Sequence, residues 1–150
     1  QYDPAMGKIV ADSSVAYCLM HNRDKITEEM DADLFIGQMK EDAKRALDAG
    51  IKKERIILDP GVGFAKTQEQ NLMTIANLDR LKALGYPVLL GTSRKSVIGY
   101  VLDVPTDKRL VGTLATSAVA VQTGCMFVRV HDVKENVELI QMLERIRESR

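Results

Sequence analysis

The sequence predicts an α/β fold in which parallel strands are covered by helices. Short apolar runs alternate with longer amphipathic segments, and the four runs typical of strands cover residues 16–20, 56–58, 88–90 and 127–130. Three of these runs lack the polar alternation of a strand with one wet face, which favours strands buried between layers. One helix followed by four strand–helix units predicts a parallel sheet with right-handed crossovers.

The segments between the strands carry helix signals. A first helix is expected to open at residues 3–4, where an aspartate cap precedes proline, and a second near Thr27. Residues 67–70 form a capping-box pattern, from which a third helix is predicted to run to Gly85. The apolar stripes expected on the last four helices are Phe35, Met39, Ala43 and Ala46; Leu72, Ile75, Leu78 and Leu81; Leu110, Leu114, Ala118 and Val121; and Val137, Ile140 and Leu143.

Composition narrows the classes of protein to consider. The 150 residues fit a single domain spanning 1–150, and 21 basic residues balance 21 acidic ones, so no basic excess points to nucleic acid. No apolar run reaches the roughly 18 residues of a membrane span, and no signal peptide opens the chain. Cys18 and Cys125 belong to no metal-binding pattern, and we expect both to be reduced, partly buried residues of a cytoplasmic protein.

Polar residues cluster directly after each predicted strand. They occur at positions 21–22, 59–61, 91–96 and 131–132. Because the carboxyl ends of parallel strands lie at one edge of the sheet, these four clusters are predicted to form a single ligand site. His21 alone is interpreted as structural, and Met20 either lines the site as an apolar contact or belongs to the core.

The second cluster begins with Asp59 and continues through a glycine-rich loop to Lys66. Glycines let the backbone turn tightly and approach a ligand closely. A carboxylate at a strand end can accept two parallel hydrogen bonds from an amino-amidine group. The alternative is that Asp59 only caps the turn.

The third cluster places Ser93, Arg94, Lys95 and Ser96 where a helix is expected to begin. Backbone N–H groups and the helix dipole favour an anion there, and Ser96 could add a hydroxyl donor. Two cations at this helix end oppose the dipole, which favours a binding role over a solvated charge pair.

The fourth cluster joins a cation and an imidazole. Arg129 and His131 are two residues apart on a strand and therefore share one face. A charge that faces the interior needs a partner, and a phosphate or diphosphate is a natural one. The alternative partner is a carboxylate, either Asp59 or Asp132.

These motifs resemble successive signatures of the dihydropteroate synthase family, in the same order and spacing over essentially the whole chain. They are residues 18–21, 59–66, 91–96 and 129–132. The family fold is a (β/α)8 TIM barrel of about 250 residues. The resemblance implies a C-terminal half-barrel, with four βα units preceded by a helix, whereas length alone favours a flavodoxin-like doubly wound sheet.

The resemblance also implies a reaction and residue roles. The enzyme is a transferase that joins p-aminobenzoate to 6-hydroxymethyl-7,8-dihydropterin diphosphate, giving 7,8-dihydropteroate and diphosphate in folate biosynthesis. Catalytic roles fall to Lys95, Arg129 and His131. The implied pterin contacts are Met20, Asp59, Phe64, Gly91, Lys95 and Arg129; those for p-aminobenzoate are Phe64, Lys66, Ser93 and Ser96; and those for diphosphate are Arg129 and His131.

Further expectations concern partners and alternatives. The resemblance implies Mg²⁺ whose ligand residue is not in this chain, small-molecule substrates, competition by sulfonamides, and a homodimer formed through the C-terminal helices. One alternative is a half-barrel that binds pterin or diphosphate without turnover. Another is the pterin-binding domain of a methyltetrahydrofolate methyltransferase, although methyl transfer has no diphosphate for Arg129 and His131 to hold.

Overall fold

The computed structural model describes residues 5–27 and 29–149, and there the predicted alternation of helices and strands is confirmed. The expected helix start at residues 3–4 lies outside this part. In chain order the elements are α1 (Met6–Asp12), β1 (Tyr17–Met20), α2 (Ala32–Asp48), β2 (Ile56–Asp59), α3 (Gln68–Ala76), α4 (Leu78–Lys82), β3 (Leu89–Leu90), α5 (Ser96–Leu102), α6 (Leu110–Thr123), β4 (Phe127–Val128) and α7 (Val133–Glu148), with 3-10 turns at Lys53–Arg55 and Thr106–Lys108.

The four strands run parallel and follow one another in chain order. β1 pairs with β2 in a register that sets Met20 opposite Asp59, and β3 pairs with β4 in the same sense. A parallel bridge between Leu58 and Val88 connects the two pairs. The resulting order, β1-β2-β3-β4 with helical crossovers, is that of four consecutive units of a parallel barrel. It is not the reversing order of a doubly wound sheet, which the length alone favoured.

The two faces of this sheet differ sharply. Ile56, Leu58 and Leu90 point towards the helices and are buried in the core. The opposite face is open, and Phe127 on it is 41% exposed. Cys18 also lies on the open face and is exposed, so the expectation that it is partly buried was wrong. Alternation along β1 explains the error, because Leu19 rather than Cys18 packs against the core.

Helix α2 contributes the stripe that the sequence predicted, with Phe35, Met39, Ala43 and Ala46 all buried. Its start was predicted too early. The helix begins at Ala32 because the Asp31 side chain accepts a hydrogen bond from the Leu34 backbone N–H. Thr27 lies in the preceding loop, where its carbonyl accepts a hydrogen bond from the Gln70 side chain.

The helix predicted between residues 67 and 85 is two helices. Its capping box is confirmed, with Thr67 and Gln70 exchanging side-chain and backbone hydrogen bonds. Asn77 leaves helical geometry and separates α3 from α4 while its side chain donates to the Met73 carbonyl. Ile75, Leu78 and Leu81 are buried as expected, whereas Leu72 is exposed, so its place in the predicted stripe was wrong.

Helix α6 buries a different face from the apolar stripe that was predicted. The buried residues are small or hydroxylated: Gly112, Thr113, Ser117 and Ala120. Close packing against α5 explains the choice, since a Cβ atom on Gly112 would lie 2.3 Å from a methyl carbon of Ile98. Leu110, Leu114, Ala118 and Val121 are only half-buried.

Helix α7 also departs from its predicted stripe. Val137 is exposed, Ile140 and Leu143 are half-buried, and Asn136 is the buried residue of this helix. The Asn136 side chain accepts a hydrogen bond from Ser117 at 2.6 Å and donates to the Asp132 carbonyl. A polar link therefore attaches α7 to α6.

Strand β4 is shorter than predicted. It ends at Val128, although the Arg129 N–H still donates to the Leu90 carbonyl at 2.8 Å and so keeps the strand direction. None of the helices within residues 5–27 and 29–149 has the length and apolarity that a membrane crossing requires.

Candidate functional site

The end of β1 and the loops after β2, β3 and β4 meet around one cavity, whereas His21 and Asn22, which were predicted to join them, do not line it. The backbone N–H of His21, just after β1, donates to the Asp59 carbonyl at the end of β2. The cavity has a volume of about 320 Å³, and we call it the rim cavity. It is lined by Met20, Asp59, Phe64, Gly91, Ser93, Lys95, Arg129, Val130 and His131.

Asp59 supplies the carboxylate of the rim cavity. Its Oδ1 accepts a hydrogen bond from the Gly61 N–H at 2.7 Å, so the turn-capping alternative is part of its role. The other oxygen, Oδ2, has no hydrogen-bond partner within the described residues and remains open to a ligand. Burial raises the pKa of Asp59, while the Gly61 hydrogen bond and the nearby Lys95, Lys66 and Arg129 act in the opposite direction.

Lys95 lines the rim cavity together with Asp59 and lies just before α5. Its ammonium group donates to the Val62 carbonyl and lies 4.8 Å from the centre of the Phe64 ring. Gly63 has a positive φ, and a Cβ atom there would contact the Lys95 side chain at 3.4 Å. Desolvation lowers the pKa of Lys95, and the Asp59 carboxylate counteracts part of that effect.

Arg129 and His131 are brought together as predicted, and both line the rim cavity. Arg129 is exposed and forms no salt bridge within the part of the chain that the structure describes. The carboxylate alternative is therefore not realised: Asp132 pairs with Arg94 through two hydrogen bonds. Ser93 Oγ contacts both the backbone N–H of His131, at 3.1 Å, and the ring Nδ1, at 2.9 Å.

Two residues expected at the p-aminobenzoate end do not line the rim cavity. Ser96 is the first residue of α5, lies on the surface, and accepts a hydrogen bond from Gln68 at 3.3 Å. Lys66 is buried beneath the loop rather than at the cavity wall, which corrects its expected placement. A buried charge must be hydrogen-bonded by the protein, because water no longer reaches it, and backbone carbonyls serve this purpose for the Lys66 ammonium.

Lys66 and His21 together hold the loop that follows β2. The Lys66 ammonium donates to the carbonyls of His21, Gly61 and Phe64 and contacts His21 Nδ1 at 2.9 Å. His21 Nε2 bonds Gln38 Oε1 at 2.8 Å. Because a Cβ atom on Gly61 would lie 1.9 Å from the His21 carbonyl oxygen, only glycine lets the loop approach this closely.

Burial dominates the electrostatics of this pair. It lowers the pKa of His21 to about 4, and the positive charge of Lys66 adds to the effect. It lowers the pKa of Lys66 to about 8, with further repulsion from Arg23. His21 is therefore a neutral, fully enclosed imidazole at neutral pH. This agrees with the prediction that His21 is a structural residue.

The link between Arg94 and Asp132 is a feature that the sequence did not reveal. Arg94 has a positive φ of 58°, uncommon for a residue with a side chain, and its N–H donates to Thr113 Oγ1. Arg109 donates to its carbonyl at 2.9 Å. The loop after β3 is thus fixed to α6 and to the loop after β4, which holds Ser93 beside His131. In the sequence, Asp132 was the only indication of such a link, and it was considered as a partner of Arg129 rather than of Arg94.

The chemistry available at the rim cavity follows from its charges. A half-buried carboxylate and an ammonium group can together bind the acceptors and donors of a polar heterocycle. An arginine and an imidazole at the far strand provide donors for an anion. This arrangement can hold a ligand that combines an amidine-like ring with a phosphate-type group.

Comparisons with known proteins identify the family of the chain. The family model described as "Pterin binding enzyme" matches residues 1–131. Dihydropteroate synthase of Clostridium beijerinckii is 49% identical over 145 residues, which are 96% of this chain and 54% of that protein. The Bacillus subtilis dihydropteroate synthase is 43% identical over 144 residues, 96% of this chain and 50% of that protein. The chain thus spans about half the length of these relatives.

Solved structures give the same result for the fold. A Clostridium difficile dihydropteroate synthase crystallised in the presence of pteroic acid superposes with a TM-score of 0.88 at 43% identity, covering 97% of this chain and 56% of that one. The Yersinia pestis enzyme with a pterin-sulfa conjugate gives a TM-score of 0.90 at 33% identity, covering 97% and 57%. The four units are therefore part of a TIM-barrel fold, and the chain belongs to the pterin-binding enzyme family.

Proposed function

We propose that this chain carries the pterin and diphosphate subsites of a dihydropteroate synthase, a transferase of folate biosynthesis. The observation that supports this most strongly is the meeting of Asp59, Lys95, Arg129 and His131 around one cavity. The similarity to dihydropteroate synthases over 96% of the chain supports the same reaction.

In the proposed reaction the amine of p-aminobenzoate attacks the methylene carbon of the pterin substrate. A C–N bond forms, the C–O bond to diphosphate breaks, and the amine proton passes to solvent. An aromatic amine is already unprotonated at neutral pH, so no strong general base is needed. The barrier is lowered by positioning the two reactants and by stabilising the charge that develops on diphosphate.

Most residues of the rim cavity have a proposed task. Asp59 accepts hydrogen bonds from the amino-amidine side of the pterin, and Lys95 donates to its other polar side. Met20 and Arg129 flank the ring, with Gly91 leaving room beside it. Phe64 borders the approach of p-aminobenzoate, and the α5 N-terminus with Ser96 receives its carboxylate. Arg129 and His131 hold the diphosphate as it departs.

Magnesium stays a prediction. Among residues 5–27 and 29–149, no group of three His, Cys, Asp or Glu side chains comes together as a metal site. Asp132, the acidic residue nearest the proposed diphosphate subsite in sequence, is already paired with Arg94. The described residues therefore do not fit a resident metal ion, and no step of the proposal depends on one.

A homodimer through the C-terminal helices is also proposed. Apolar side chains on the outer surface of α6 and α7 support it: Val111 is 72% exposed and Met142 62%. Sedimentation at high concentration tests it, and a monomer would contradict it.

The cytoplasm is the proposed location, because both cysteines are free thiols, which persist in a reducing compartment.

A product assay tests the function. The polypeptide that carries this chain in its natural reading frame is incubated with pterin diphosphate and p-aminobenzoate, and dihydropteroate is measured. Turnover is expected, with a large loss in Asp59→Asn and none in Arg147→Ala on the exposed end of α7. Equal rates for wild type and Asp59→Asn would refute the assignment.

Binding without turnover is the second candidate for the 150-residue chain alone. The open face of the sheet favours it, since Cys18 and Phe127 are exposed on the side where a barrel would be closed. The same assay on the 150-residue chain, combined with calorimetric titration of pterin diphosphate, separates the two candidates.

A further inference from the structure

We propose that Ser93 is a positioning residue that keeps the proton of the neutral His131 ring on Nε2, so that the imidazole presents an N–H donor to an anion in the rim cavity. This inference rests on the proposed function for the identity of the anion, a diphosphate, and on the structure alone for the tautomer.

The geometry starts from one hydroxyl with two neighbours. Ser93 Oγ lies 3.1 Å from the backbone nitrogen of His131 and 2.9 Å from its ring Nδ1. The backbone N–H can only donate, so Oγ accepts there. Ser93 is 7% exposed, so its hydroxyl is largely shielded from water, whereas the His131 ring is on the exposed side of the contact.

The position of the hydroxyl proton then decides the tautomer. If Nδ1 carried the ring proton, Oγ would accept twice and its own proton would need a further acceptor, which the described residues do not supply. If Nδ1 is bare, the hydroxyl donates to it and every group is satisfied. Buried polar groups are rarely left unpaired, so the second arrangement is favoured and the ring proton resides on Nε2.

The surrounding loops keep the two residues in place. Arg94 bonds Asp132 through Nε at 3.1 Å and through Nη2, directly linking the loops that contain Ser93 and His131. Thr113 and Arg109 bind the backbone of Arg94 from α6 and its N-terminal end. Nε2 of His131 has no protein partner within the described residues, and the ring lines the rim cavity.

This role differs from the one expected for Ser93. A hydroxyl committed to His131 is not free to donate to the carboxylate of p-aminobenzoate. Its contribution to the reaction would pass through the imidazole, and a threonine, which retains a hydroxyl, should preserve it. Alanine should abolish it.

The chain has only two histidines, which makes the test direct. A long-range ¹H–¹⁵N spectrum of the ¹⁵N-histidine-labelled chain is recorded at about pH 7.5, roughly one unit above the ordinary imidazole pKa and below the pKa of about 8 of Lys66, so that Lys66 is still an ammonium. We expect both rings to show a protonated Nε2 and a bare Nδ1. His21 serves as the internal reference, because its Nδ1 receives the Lys66 ammonium.

Substitution then assigns the effect. Ser93→Ala should convert the His131 pattern to a tautomer mixture without moving the His21 signals, and Ser93→Thr should keep the wild-type pattern. A protonated Nδ1 on His131 in the wild type, or an unchanged His131 pattern in Ser93→Ala, would overturn the proposal.

Titration with inorganic diphosphate tests the donor role separately. The His131 Nε2 signal should shift on binding, and the affinity should fall roughly fivefold in Ser93→Ala, the loss expected for one weakened hydrogen bond. A confirmed tautomer with no shift would overturn the donor role while leaving the product assay to judge the proposed function on its own.

Discussion

The two histidines lie at opposite ends of the rim and illustrate two uses of the same side chain. His21, after β1, is 1% exposed and has protein partners on both ring nitrogens, Lys66 and Gln38. His131, after β4, lines the cavity and has one nitrogen on Ser93, while the other has no protein partner within the described residues. The surroundings of His21 therefore form an enclosed side that shapes a loop, whereas His131, like Asp59 at the end of β2, lines the rim cavity.

The difference arises from the partner that each ring nitrogen meets, not from the local sequence. Each histidine follows a strand and is followed directly by a polar residue, Asn22 or Asp132. A buried ammonium encloses the first, and a half-exposed arginine–carboxylate pair beside the second leaves the ring accessible. Function at such a rim is thus decided by contacts between neighbouring loops.

The largest expected effect concerns the enclosed side. Lys66→Met keeps most of the side-chain volume but leaves the carbonyls of His21, Gly61 and Phe64 without their donor. Each buried acceptor left unpaired costs about 1–3 kcal/mol, so we expect a loss of about 4 kcal/mol in the free energy of unfolding. Urea denaturation measures it. Lys95→Met, which removes a single carbonyl contact, is the control and should cost less, whereas equal losses would contradict the comparison.

The next prediction concerns pH. The folded state lowers the pKa of His21 from 6.5 to about 4, so its neutral form is favoured by folding. The stabilisation of the folded state that comes from a neutral His21 is fully present above pH 6.5. It is lost as the pH falls towards 4, because His21 of the unfolded chain is protonated at a higher pH than His21 of the folded chain. The shift corresponds to about 3 kcal/mol. Unfolding free energies measured between pH 4 and 7 should show this slope.

Matched histidine variants identify the source of that slope. His21→Gln should reduce the dependence on pH between 4 and 6.5, even if the variant is less stable throughout. His131→Gln should retain it, because the enclosed ring is still present. The same slope in both variants would assign it to other groups.

Substitutions of residues that line the rim cavity should change ligand affinity rather than the free energy of unfolding. Arg129→Ala removes a charged donor from the rim cavity and should weaken diphosphate binding by about 2 kcal/mol, roughly thirtyfold. Calorimetry measures the affinity. Arg147→Ala, at the exposed end of α7, should leave it unchanged. A loss of similar size in both variants would indicate non-specific attraction.

The smallest expected effect concerns Thr113, which fixes the loop after β3 to helix α6. Thr113→Val preserves shape but removes the acceptor for the Arg94 N–H. A loss of about 1 kcal/mol in unfolding free energy is expected. Thr123→Val removes bonds to carbonyls of its own helix and a long contact with Cys125 Sγ at 3.8 Å, but no contact with the loop after β3, and is the control. If Thr123→Val is the more costly, Thr113 does not support the loop.

Much of the fold was predictable because hydrophobic periodicity and caps are local signals. The stripe from Phe35 to Ala46 and the capping box at Thr67 were both confirmed. The buried face of α6 could not be predicted from its apolar residues, since close contact with Ile98 selects Gly112 there. Cys18 was misjudged because an apolar strand does not reveal which of its faces stays open.

The sequence was sufficient to predict where the site lies, but not which hydrogen bonds its residues form. Strand-end clusters placed Asp59, Lys95, Arg129 and His131 together because parallel strands end at one edge. Sequence could not show that the Lys66 ammonium turns inwards to His21, since 45 residues separate them. The partner of Asp132 was missed for the same reason.

The central claim is that Asp59 and Arg129 hold opposite ends of one pterin diphosphate molecule. Calorimetric titration of the chain with pterin diphosphate and with inorganic diphosphate tests it most directly, in wild type, Asp59→Asn and Arg129→Ala. We predict that Asp59→Asn weakens pterin diphosphate binding at least about tenfold while leaving inorganic diphosphate unaffected, and that Arg129→Ala weakens both. Wild-type affinity for pterin diphosphate in Asp59→Asn would contradict the account.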